Sequence, residues 1–324
     1  MSEKQTTLNS VERISAPAPH CAFTDLIASP FEKNLTAIFC CYRQASDHVS
    51  LDGQIVIVKY SLLSKEKHYQ HLQVPDTDLG DPKFSFDGEV LYLTTYAKRK
   101  CPTTGRVSTD MVSFHTTTGM SWSSPHSFGI PGWWLWNLTF FNHIAYGFAY
   151  NRGKNRIDLY AGQPNKQMDL VTDHALSLET HQLGYPNESH ILFSQNGTAT
   201  AVVRRDADSY SAMLGESSPP YTSWTWKDLG CYIGGPVMYA LSETHYLVAG
   251  RDWDGEVSTT KIWLLEKGSA QLSVLLTLPS GGDNSYPGMV IDGDTLYLSY
   301  YSSHIDESTR VYLAEISGLN ALHC

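Results

Sequence analysis

The sequence lacks several features that define other classes of protein. No uninterrupted apolar run approaches the ~18 residues that a membrane helix needs, and no amphipathic helix stands out. The 23 lysines and arginines are outnumbered by 33 aspartates and glutamates, which gives a net charge of −10. A nucleic-acid surface needs clustered cations that neutralise phosphates. We therefore expect neither a nucleic acid nor a membrane as partner.

Cysteines and metal-binding motifs are also sparse. None of the six cysteines forms a C-x-x-C pair, and Cys40 and Cys41 are adjacent on a predicted strand, so their side chains point to opposite faces. We interpret the cysteines as mostly free, buried thiols. No H-E-x-x-H motif or glycine-rich phosphate loop occurs, and the histidines and cysteines lack ligand spacing. The sequence thus predicts no metal site and no cofactor.

The N-terminal segment MSEKQTTLNSVER is polar and contains no apolar core. A secretory signal peptide needs such a core. We therefore expect a cytoplasmic protein, or a secreted one if a leader preceded this sequence. The sequence leaves the oligomeric state open.

What the chain does contain is a strand–turn–strand pattern that occurs six times. Short runs rich in Val, Leu, Tyr and Ala alternate with Gly, Asn, Asp, Ser and Pro clusters, which is typical of all-β proteins. The second strands of the six repeats end near Arg43, Lys98, Arg152, Arg204, Arg251 and Tyr301. The successive spacings are 55, 54, 52, 47 and 50 residues. Such a period, made only of strands, indicates a β-propeller with about four strands per blade.

The six repeats predict an all-β fold, a six-bladed propeller of four-stranded antiparallel blades that forms a single domain. We expect the blades at residues 20–75, 76–130, 131–183, 184–231, 232–280 and 281–320. Residues 1–19 are an N-terminal arm or a strand that joins the last blade and closes the ring. Closure of this kind would remove the open sheet edges.

The propeller hypothesis brings charged residues from separate repeats together. In each blade the start of the first strand and the end of the second strand lie at the same end of the central channel. The residues that end the second strands therefore ring one pocket, with Asp25, Asp81, Glu188 and Tyr286 nearer to the axis. Arginines clustered in an acidic protein suit a ligand that carries a carboxylate. The alternative is that these charges only solvate the hairpin ends.

Three features carry a family resemblance, the last of them present in two segments. In NESHILFSQNGTATAVVRRD, Glu188 and Arg204 stand 16 residues apart on a predicted hairpin. In NSYPGMVIDGDTLYLSYYSSH, Tyr286 precedes a small-residue strand and an Asp-Gly turn. HTTTGMSW, ending at Trp122, and YTSWTW, ending at Trp226, are similar to the Asp-box turns on the outer parts of blades. The chain resembles the sialidase (neuraminidase, BNR-repeat) superfamily of six-bladed propellers, as a divergent bacterial sialidase-like protein.

The resemblance implies a glycosidase that releases a terminal sugar from an oligosaccharide or glycan. Tyr286 matches the nucleophile and Glu188 the base that activates it, since a tyrosine with a pKa near 10 needs a base at neutral pH. Arg204 matches one arginine of the carboxylate-binding triad, and Arg251 is the candidate for another. Arg205, on the opposite side of its strand from Arg204, is expected to be a surface or inter-blade charge.

The family's first-strand arginine has no match in this chain. Thr24 or Asp25 stands in its place, and Arg43 is the candidate that substitutes for it. The family's acid/base aspartate lies on a loop of the first blade, where this chain offers Asp47, His48 or Asp52.

Further side chains are expected to bind the sugar. Trp136 belongs to the most aromatic segment, PGWWLWN, and is either a sugar-stacking wall or a core plug. Asp25 near the axis, and Tyr301 and His304 in phase with the pocket, complete the expected substrate-binding residues beside the three arginines.

Two other functions fit the same residues. A polysaccharide lyase acting on uronic-acid glycans would use Arg204 and Arg251 to neutralise the uronate, and His48 or Tyr286 to remove the proton beside it. A non-catalytic propeller would bind a carbohydrate without turnover. The leading hypothesis is hydrolysis of a terminal, acidic sugar, and the sequence leaves the sugar and its linkage open.

Overall fold

The computed structural model describes residues 6–305 and 307–322, and almost all of its regular structure is β-strand. Six antiparallel sheets follow one another along the chain, which confirms the predicted all-β, six-bladed propeller with four-stranded blades. Within the described residues, helical structure is limited to one α-helical turn, Leu178–His181, and the 3-10 turns Arg152–Lys154 and Leu319–Leu322. Among the described residues no helix has the length and apolar character to cross a membrane.

The strands are numbered in chain order. Blade one contains β2 (His20–Ala28), β3 (Ala37–Ala45), β4 (Gln54–Ser61) and β5 (Lys67–Leu72). Blade two contains β6 (Asp78–Phe86), β7 (Leu91–Lys100), β8 (Val107–Thr116) and β9 (His126–Phe128). Blade three contains β10 (Trp134–Leu135), β11 (Thr139–Phe141), β12 (Ile144–Asn151), β13 (Arg156–Gly162) and β14 (Met168–Ser177).

The second half of the ring follows the same plan. Blade four contains β15 (Pro186–Phe193), β16 (Ala199–Arg205), β17 (Met213–Ser217) and β18 (Thr225–Asp228). Blade five contains β19 (Gly234–Ala240), β20 (His245–Trp253), β21 (Ser258–Glu266) and β22 (Gln271–Thr277). Blade six contains β23 (Ser285–Asp292), β24 (Thr295–Ser302), β25 (Arg310–Ser317) and, as its outer strand, β1 (Thr7–Arg13).

The pairing of β1 with β25 closes the ring. The register runs antiparallel from Thr7 opposite Ser317 to Arg13 opposite Tyr312. The expected N-terminal closing strand is therefore present. It covers the edge of β25 that would otherwise leave backbone groups unpaired.

Apolar side chains fill the spaces between neighbouring blades. Phe39 and Ile57 of blade one, for example, pack with Leu93 and Phe114 of blade two. Free thiols belong to these cores at Cys21, Cys40 and Cys41, as expected, but Cys101 is exposed in a hairpin turn. Backbones approach closely where inner strands meet. At Gly288 of β23, for example, an added Cβ would lie 2.0 Å from the Leu26 nitrogen of β2.

A β-bulge recurs at the same position of the first, inner strand in five blades. The register with the second strand shifts between Ala22 and Asp25, Gly80 and Lys83, Pro186 and Ser189, Gly234 and Val237, and Ser285 and Gly288. In blade three the inner strand is instead split into β10 and β11. Bulges re-aim side chains and are frequent beside functional sites. Here they determine which side chains face the end of the channel.

Candidate functional site

A pocket opens at the end of the channel where the inner-strand bulges lie, and we call it the central pocket. Its volume is about 290 Å³, at the lower end for small-molecule sites, so it suits one small ligand. It is lined by Phe23, Arg43, His48, Val49, Gly80, Asp81, Lys98, Trp134, Tyr150, Tyr185, Asn187, Glu188, Arg204, Asp206 and Tyr286. A larger cleft of about 570 Å³ has no charged side chain in its walls.

Tyr286 and Glu188 meet in the central pocket, although blades four and six supply them. Tyr286 Oη donates a hydrogen bond to Glu188 Oε1 at 2.7 Å. Each residue lies within the bulge of its inner strand. Tyr286 has φ near 50°, a left-handed conformation that costs energy for a bulky side chain. The bulges thus hold the phenol and the carboxylate against each other.

Arg204 completes this group. Its Nη1 lies 2.7 Å from Tyr286 Oη and 2.6 Å from Glu188 Oε2. Asp206 accepts from the Nε of Arg204 at 3.0 Å and holds the guanidinium in place. The spacing of Glu188 and Arg204 along the chain is explained by their hairpin, in which Arg204 of β16 faces the bulge of β15.

Gly235 supports the same group from blade five. Its backbone N–H donates to Glu188 Oε2 at 2.7 Å. A Cβ at this position would lie 2.8 Å from Cδ1 of Tyr286, and the residue has φ near 56°. Only glycine combines this conformation with such close approach to the tyrosine ring.

The protonation of Tyr286 follows from its surroundings. Burial raises the pKa of Tyr286 well above its usual range, and the charge of Glu188 acts in the same direction, against the lowering effect of Arg204 and Arg251. The phenol is therefore protonated at rest. A phenol can act as a nucleophile while its proton passes to a base, and Glu188 is already in hydrogen-bond contact.

Arg251 lies against Tyr286 and does not line the pocket wall itself. Its Nη2 contacts Asp283 Oδ1 at 2.5 Å and Tyr301 Oη at 2.8 Å, and its Nε donates to the Asn284 carbonyl at 2.8 Å. These contacts use one edge of the guanidinium. No described residue accepts a hydrogen bond from Nη1, the other edge.

His48 lines the central pocket and is oriented by Asp283. Its Nδ1 lies 3.1 Å from Asp283 Oδ2, and its side chain is half exposed. Although burial favours the neutral acid, the hydrogen bond from His48 and the charge of Arg251 lower the pKa of Asp283. Asp283 was not among the residues expected from the sequence, where its only signal is its place three residues before Tyr286.

Asp47, the other acid/base candidate, is placed differently. Its Oδ1 accepts the backbone N–H groups of Val49 and Ser50 at 2.8 Å and 2.6 Å. The side chain is exposed and stabilises its own turn, outside the walls of the central pocket. Of the two loop residues named as catalytic candidates, the structure brings only His48 to the pocket.

Arg43 reaches the pocket wall but is engaged in holding the fold. Its Nε and Nη2 bind Asp78 Oδ1 at 3.1 Å and 2.8 Å, and its remaining donors reach the carbonyls of Asp47 and Ser50. The side chain is 3% exposed. A substitute for the missing arginine would need a free edge, so the expectation that Arg43 clamps a substrate carboxylate is corrected.

The aromatic wall comes from Trp134 and not from Trp136. Trp134 lines the pocket and stacks on Tyr96, with 3.7 Å between ring centroids, and on Tyr150 at 5.5 Å. Trp136 is 2% exposed and packs in the core against Tyr286. Of the two alternatives for Trp136, the structure shows the core plug, because β10 ends at Leu135 and Trp136 follows it into the core.

Three other expected sugar contacts lie outside the central pocket. Asp25 is buried between blades one and two, where it accepts the Phe84 N–H at 2.7 Å. Tyr301 is fully buried and donates to Asp283 Oδ2 at 2.9 Å. His304 packs on Tyr312, with 4.5 Å between the ring centroids. The structure places all three in supporting roles for blade packing.

Asp81, to which the sequence analysis gave no role, lines the pocket from blade two. It occupies the bulge of β6 with φ near 48°. Burial raises the pKa of Asp81 to about 7, with a further contribution from the charge of Glu188 and an opposing one from Lys83, Lys98 and Arg43. A carboxyl group that titrates near neutral pH in a pocket is a candidate for proton transfer.

Within residues 6–305 and 307–322 no three histidine, cysteine, aspartate or glutamate side chains gather as a metal site would require.

Comparison with known proteins identifies relatives by structure alone. No protein-family model matches the sequence, and no curated protein matches it. A protein of unknown function from Dyadobacter fermentans has a TM-score of 0.81 at 16% identity, over 96% of this chain and 99% of that one. The sialidase of Trypanosoma rangeli in complex with sialic acid has a TM-score of 0.67 at 10% identity, over 98% of this chain.

The same sialidase bound to 2,3-difluorosialic acid as a covalent intermediate has a TM-score of 0.62 at 10% identity and 98% coverage of this chain. The chain spans 59% of the length of these sialidase structures. The fold is therefore that of a sialidase-like propeller.

Proposed function

We propose that this protein is a retaining glycoside hydrolase that removes a terminal acidic sugar from the end of an oligosaccharide or glycan. The observation that carries the proposal is the contact of Tyr286 Oη with Glu188 Oε1 and Arg204 Nη1, each at 2.7 Å. A phenol held between a proton acceptor and a cation has the arrangement of an activated nucleophile.

Hydrolysis by this group proceeds through a sugar bound covalently to Tyr286. Tyr286 Oη attacks the anomeric carbon, its proton passes to Glu188 Oε1, and Arg204 stabilises the negative charge that develops on the phenol oxygen. A neutral phenol is not repelled by a carboxylate on the substrate, which is the advantage of tyrosine over an aspartate or glutamate nucleophile. The use of tyrosine is thus itself an argument for an acidic sugar.

Arg204 and Arg251 are the proposed carboxylate contacts. Both guanidinium groups lie against Tyr286, one at its oxygen and one over its ring. A carboxylate attached to the carbon under attack would lie between them and meet the free edge of Arg251. Two arginines are enough for a bidentate contact with a single carboxylate.

The remaining walls suit a sugar ring. Trp134 and Tyr150 supply flat apolar faces, and Asn187 and Asp206 supply polar atoms at the pocket surface. Sugars are bound by this combination of aromatic stacking and directed hydrogen bonds. The likeness in fold to a sialidase solved with sialic acid supports the assignment.

The test is covalent trapping with 2,3-difluoro-N-acetylneuraminic acid, followed by intact-mass measurement and peptide mapping. We expect one added sugar on the peptide that contains Tyr286, and none in Tyr286→Phe. Tyr300→Phe is the matched control, because Tyr300 donates to the Pro279 carbonyl away from the pocket and its loss leaves trapping intact. An adduct on another residue would contradict the mechanism.

Product analysis separates the hydrolase from the other functions. A lyase, with His48 held by Asp283 as base, would release an unsaturated sugar that absorbs in the ultraviolet, and retention of full turnover in Tyr286→Phe and Glu188→Gln would favour it. Calorimetric binding of glycans with no turnover by the wild-type protein would show a carbohydrate-binding propeller.

A further inference from the structure

Cleavage of a glycosidic bond needs a proton for the departing oxygen, and Tyr286 and Glu188 do not supply it. Glu188 takes the phenol proton, so a separate acid has to face the pocket. Asp47 does not meet this requirement, since its carboxylate accepts hydrogen bonds within its own turn. His48 lies on the wall formed with Phe23, and its Nδ1 is engaged by Asp283.

We propose that Asp81 is the acid that protonates the leaving group and the base that then activates water, an inference that rests on the proposed hydrolase function. Asp81 and Tyr286 occupy equivalent bulge positions in blades two and six, with φ near 48° and 50°. Both residues line the central pocket, from different blades. The same kind of bulge therefore positions the proposed nucleophile in blade six and a carboxyl group in blade two.

The Asp81 carboxyl is available for proton transfer. In the part of the chain that the structure describes, no backbone or side-chain group donates a hydrogen bond to its oxygens. By contrast, Asp78 in the same strand accepts from Arg43 and Gly53, and Asp206 accepts from Arg204. Of these three aspartates, Asp81 is the one without a fixed partner among the described residues. A group that exchanges its proton with substrate and water needs this freedom.

The charges that face Asp81 place its titration in the useful range. Burial and the Glu188 carboxylate favour the protonated form, and Lys83, Lys98 and Arg43 favour the ionised form. The result is a pKa raised to about 7. At neutral pH both forms are populated, which suits a residue that gives a proton in one step and accepts one in the next.

Each proton and bond is accounted for in the two steps. In the first, the Tyr286 oxygen bonds to the anomeric carbon, the glycosidic C–O bond breaks, and the leaving oxygen takes the proton of Asp81 while Glu188 takes that of Tyr286. In the second, Asp81 removes a proton from water, the hydroxide bonds to the anomeric carbon, the Tyr286 bond breaks, and Glu188 returns its proton.

The test compares two leaving groups on the same sugar. The probes are the 4-methylumbelliferyl and the methyl glycosides of N-acetylneuraminic acid, since the aryl oxide departs without a proton and methanol does not. For Asp81→Asn we expect kcat/KM to fall on the order of a hundredfold to a thousandfold with the methyl glycoside, and less than about tenfold with the aryl glycoside. The fall in rate above pH 7 should also disappear.

Asp76→Asn is the matched control. It makes the same chemical change five residues away, at an exposed position with φ near 52°, and asparagine tolerates this conformation at both sites. We expect both rates of Asp76→Asn to equal those of the wild type. Circular dichroism and thermal melting establish that Asp81→Asn is folded.

The outcomes distinguish this proposal from the one on which it rests. Equal losses on both glycosides, or unchanged rates, would overturn the role of Asp81 and leave the hydrolase intact. A wild-type protein that cleaves neither glycoside would overturn both. Carbon-13 NMR of the carboxyl groups adds a measurement without substrate: a carboxyl resonance that titrates near pH 7 and is lost in Asp81→Asn supports the proposal, and titration of Asp81 near pH 4 overturns it.

Discussion

The guanidinium of Arg251 stacks on the ring of Tyr286, with 4.9 Å between the guanidinium carbon and the ring centroid. This contact joins blade five to blade six and places a positive charge beside the phenol that is proposed to attack the substrate. A cation over an aromatic face is held by the quadrupole of the ring. The charge also lowers the pKa of Tyr286, against the effect of burial.

Arg251→Lys tests whether the planar group matters beyond its charge. Lysine keeps the positive charge but loses the stacking and the contacts with Asp283 and Tyr301, so we expect kcat/KM for an acidic sugar to fall roughly tenfold to a hundredfold. Steady-state kinetics of the two proteins measure the difference. A variant as active as the wild type would show that Arg251 only joins the blades.

Gly235→Ala tests the close approach behind the hydrogen-bonded pair Tyr286 and Glu188. The added methyl would meet Cδ1 of Tyr286 at 2.8 Å, at a residue with φ near 56°. We expect a loss of stability of about 1–3 kcal/mol from the strained conformation, together with a loss of activity because the phenol moves from Glu188. Denaturant unfolding and kinetics measure the two effects. Gly293→Ala is the control, since its φ is also near 56° but its Cβ would meet nothing within 4 Å.

Asp78→Ala tests the structural role assigned to Arg43. Asp78 has a side-chain exposure of 1% and compensates the buried guanidinium. Removal of one partner leaves a buried charge, so we expect unfolding to become easier by about 3–5 kcal/mol. The double variant Arg43→Met, Asp78→Ala should recover part of this loss. If Asp78→Ala were as stable as the wild type in urea, Arg43 would be free to bind substrate after all.

The pH dependence of stability follows from the raised pKa of Asp81. The folded protein holds this proton to about pH 7, whereas the unfolded chain releases it near pH 4. The stabilising contribution is therefore complete below about pH 4 and is lost as the pH rises to about 7. Asp81→Asn lacks this titration, so its stability relative to the wild type should rise between pH 4 and 8 by up to about 4 kcal/mol. Urea unfolding of both proteins at pH 4 and pH 8 measures this change in relative stability. The same stability difference between the two proteins at both pH values would contradict the raised pKa.

The fold was predictable because its signals are local and repeated. The alternation of side chains along each strand and the recurring hairpin are both visible within short segments. Six copies of the hairpin indicate a propeller, in which neighbouring copies bury each other's apolar faces. The same repetition placed Glu188, Arg204 and Tyr286 at one end of the channel. Their atomic contacts in the structure agree with the pairing that the resemblance implied.

The details of the pocket depended on side-chain partners from other blades. Arg43 and Arg204 have the same repeat position, but Asp78 of blade two binds the first, whereas the second faces Tyr286 of blade six. Arg205, expected to be a surface or inter-blade charge, is 1% exposed and donates to the Gly184 carbonyl within its own blade. Nothing in a single segment distinguishes these three arginines.

The sequence alone determined the class of fold and the number of blades, because periodicity and alternation are properties of consecutive residues. Only the tertiary structure decided that Trp134 and not Trp136 faces the pocket, that Asp283 orients His48, and that Asp81 stands without a partner. These outcomes depend on where bulges shift the register and on which blade supplies the neighbouring charge. The neighbouring charge is determined when the ring closes, because closure brings together residues that are far apart in the chain.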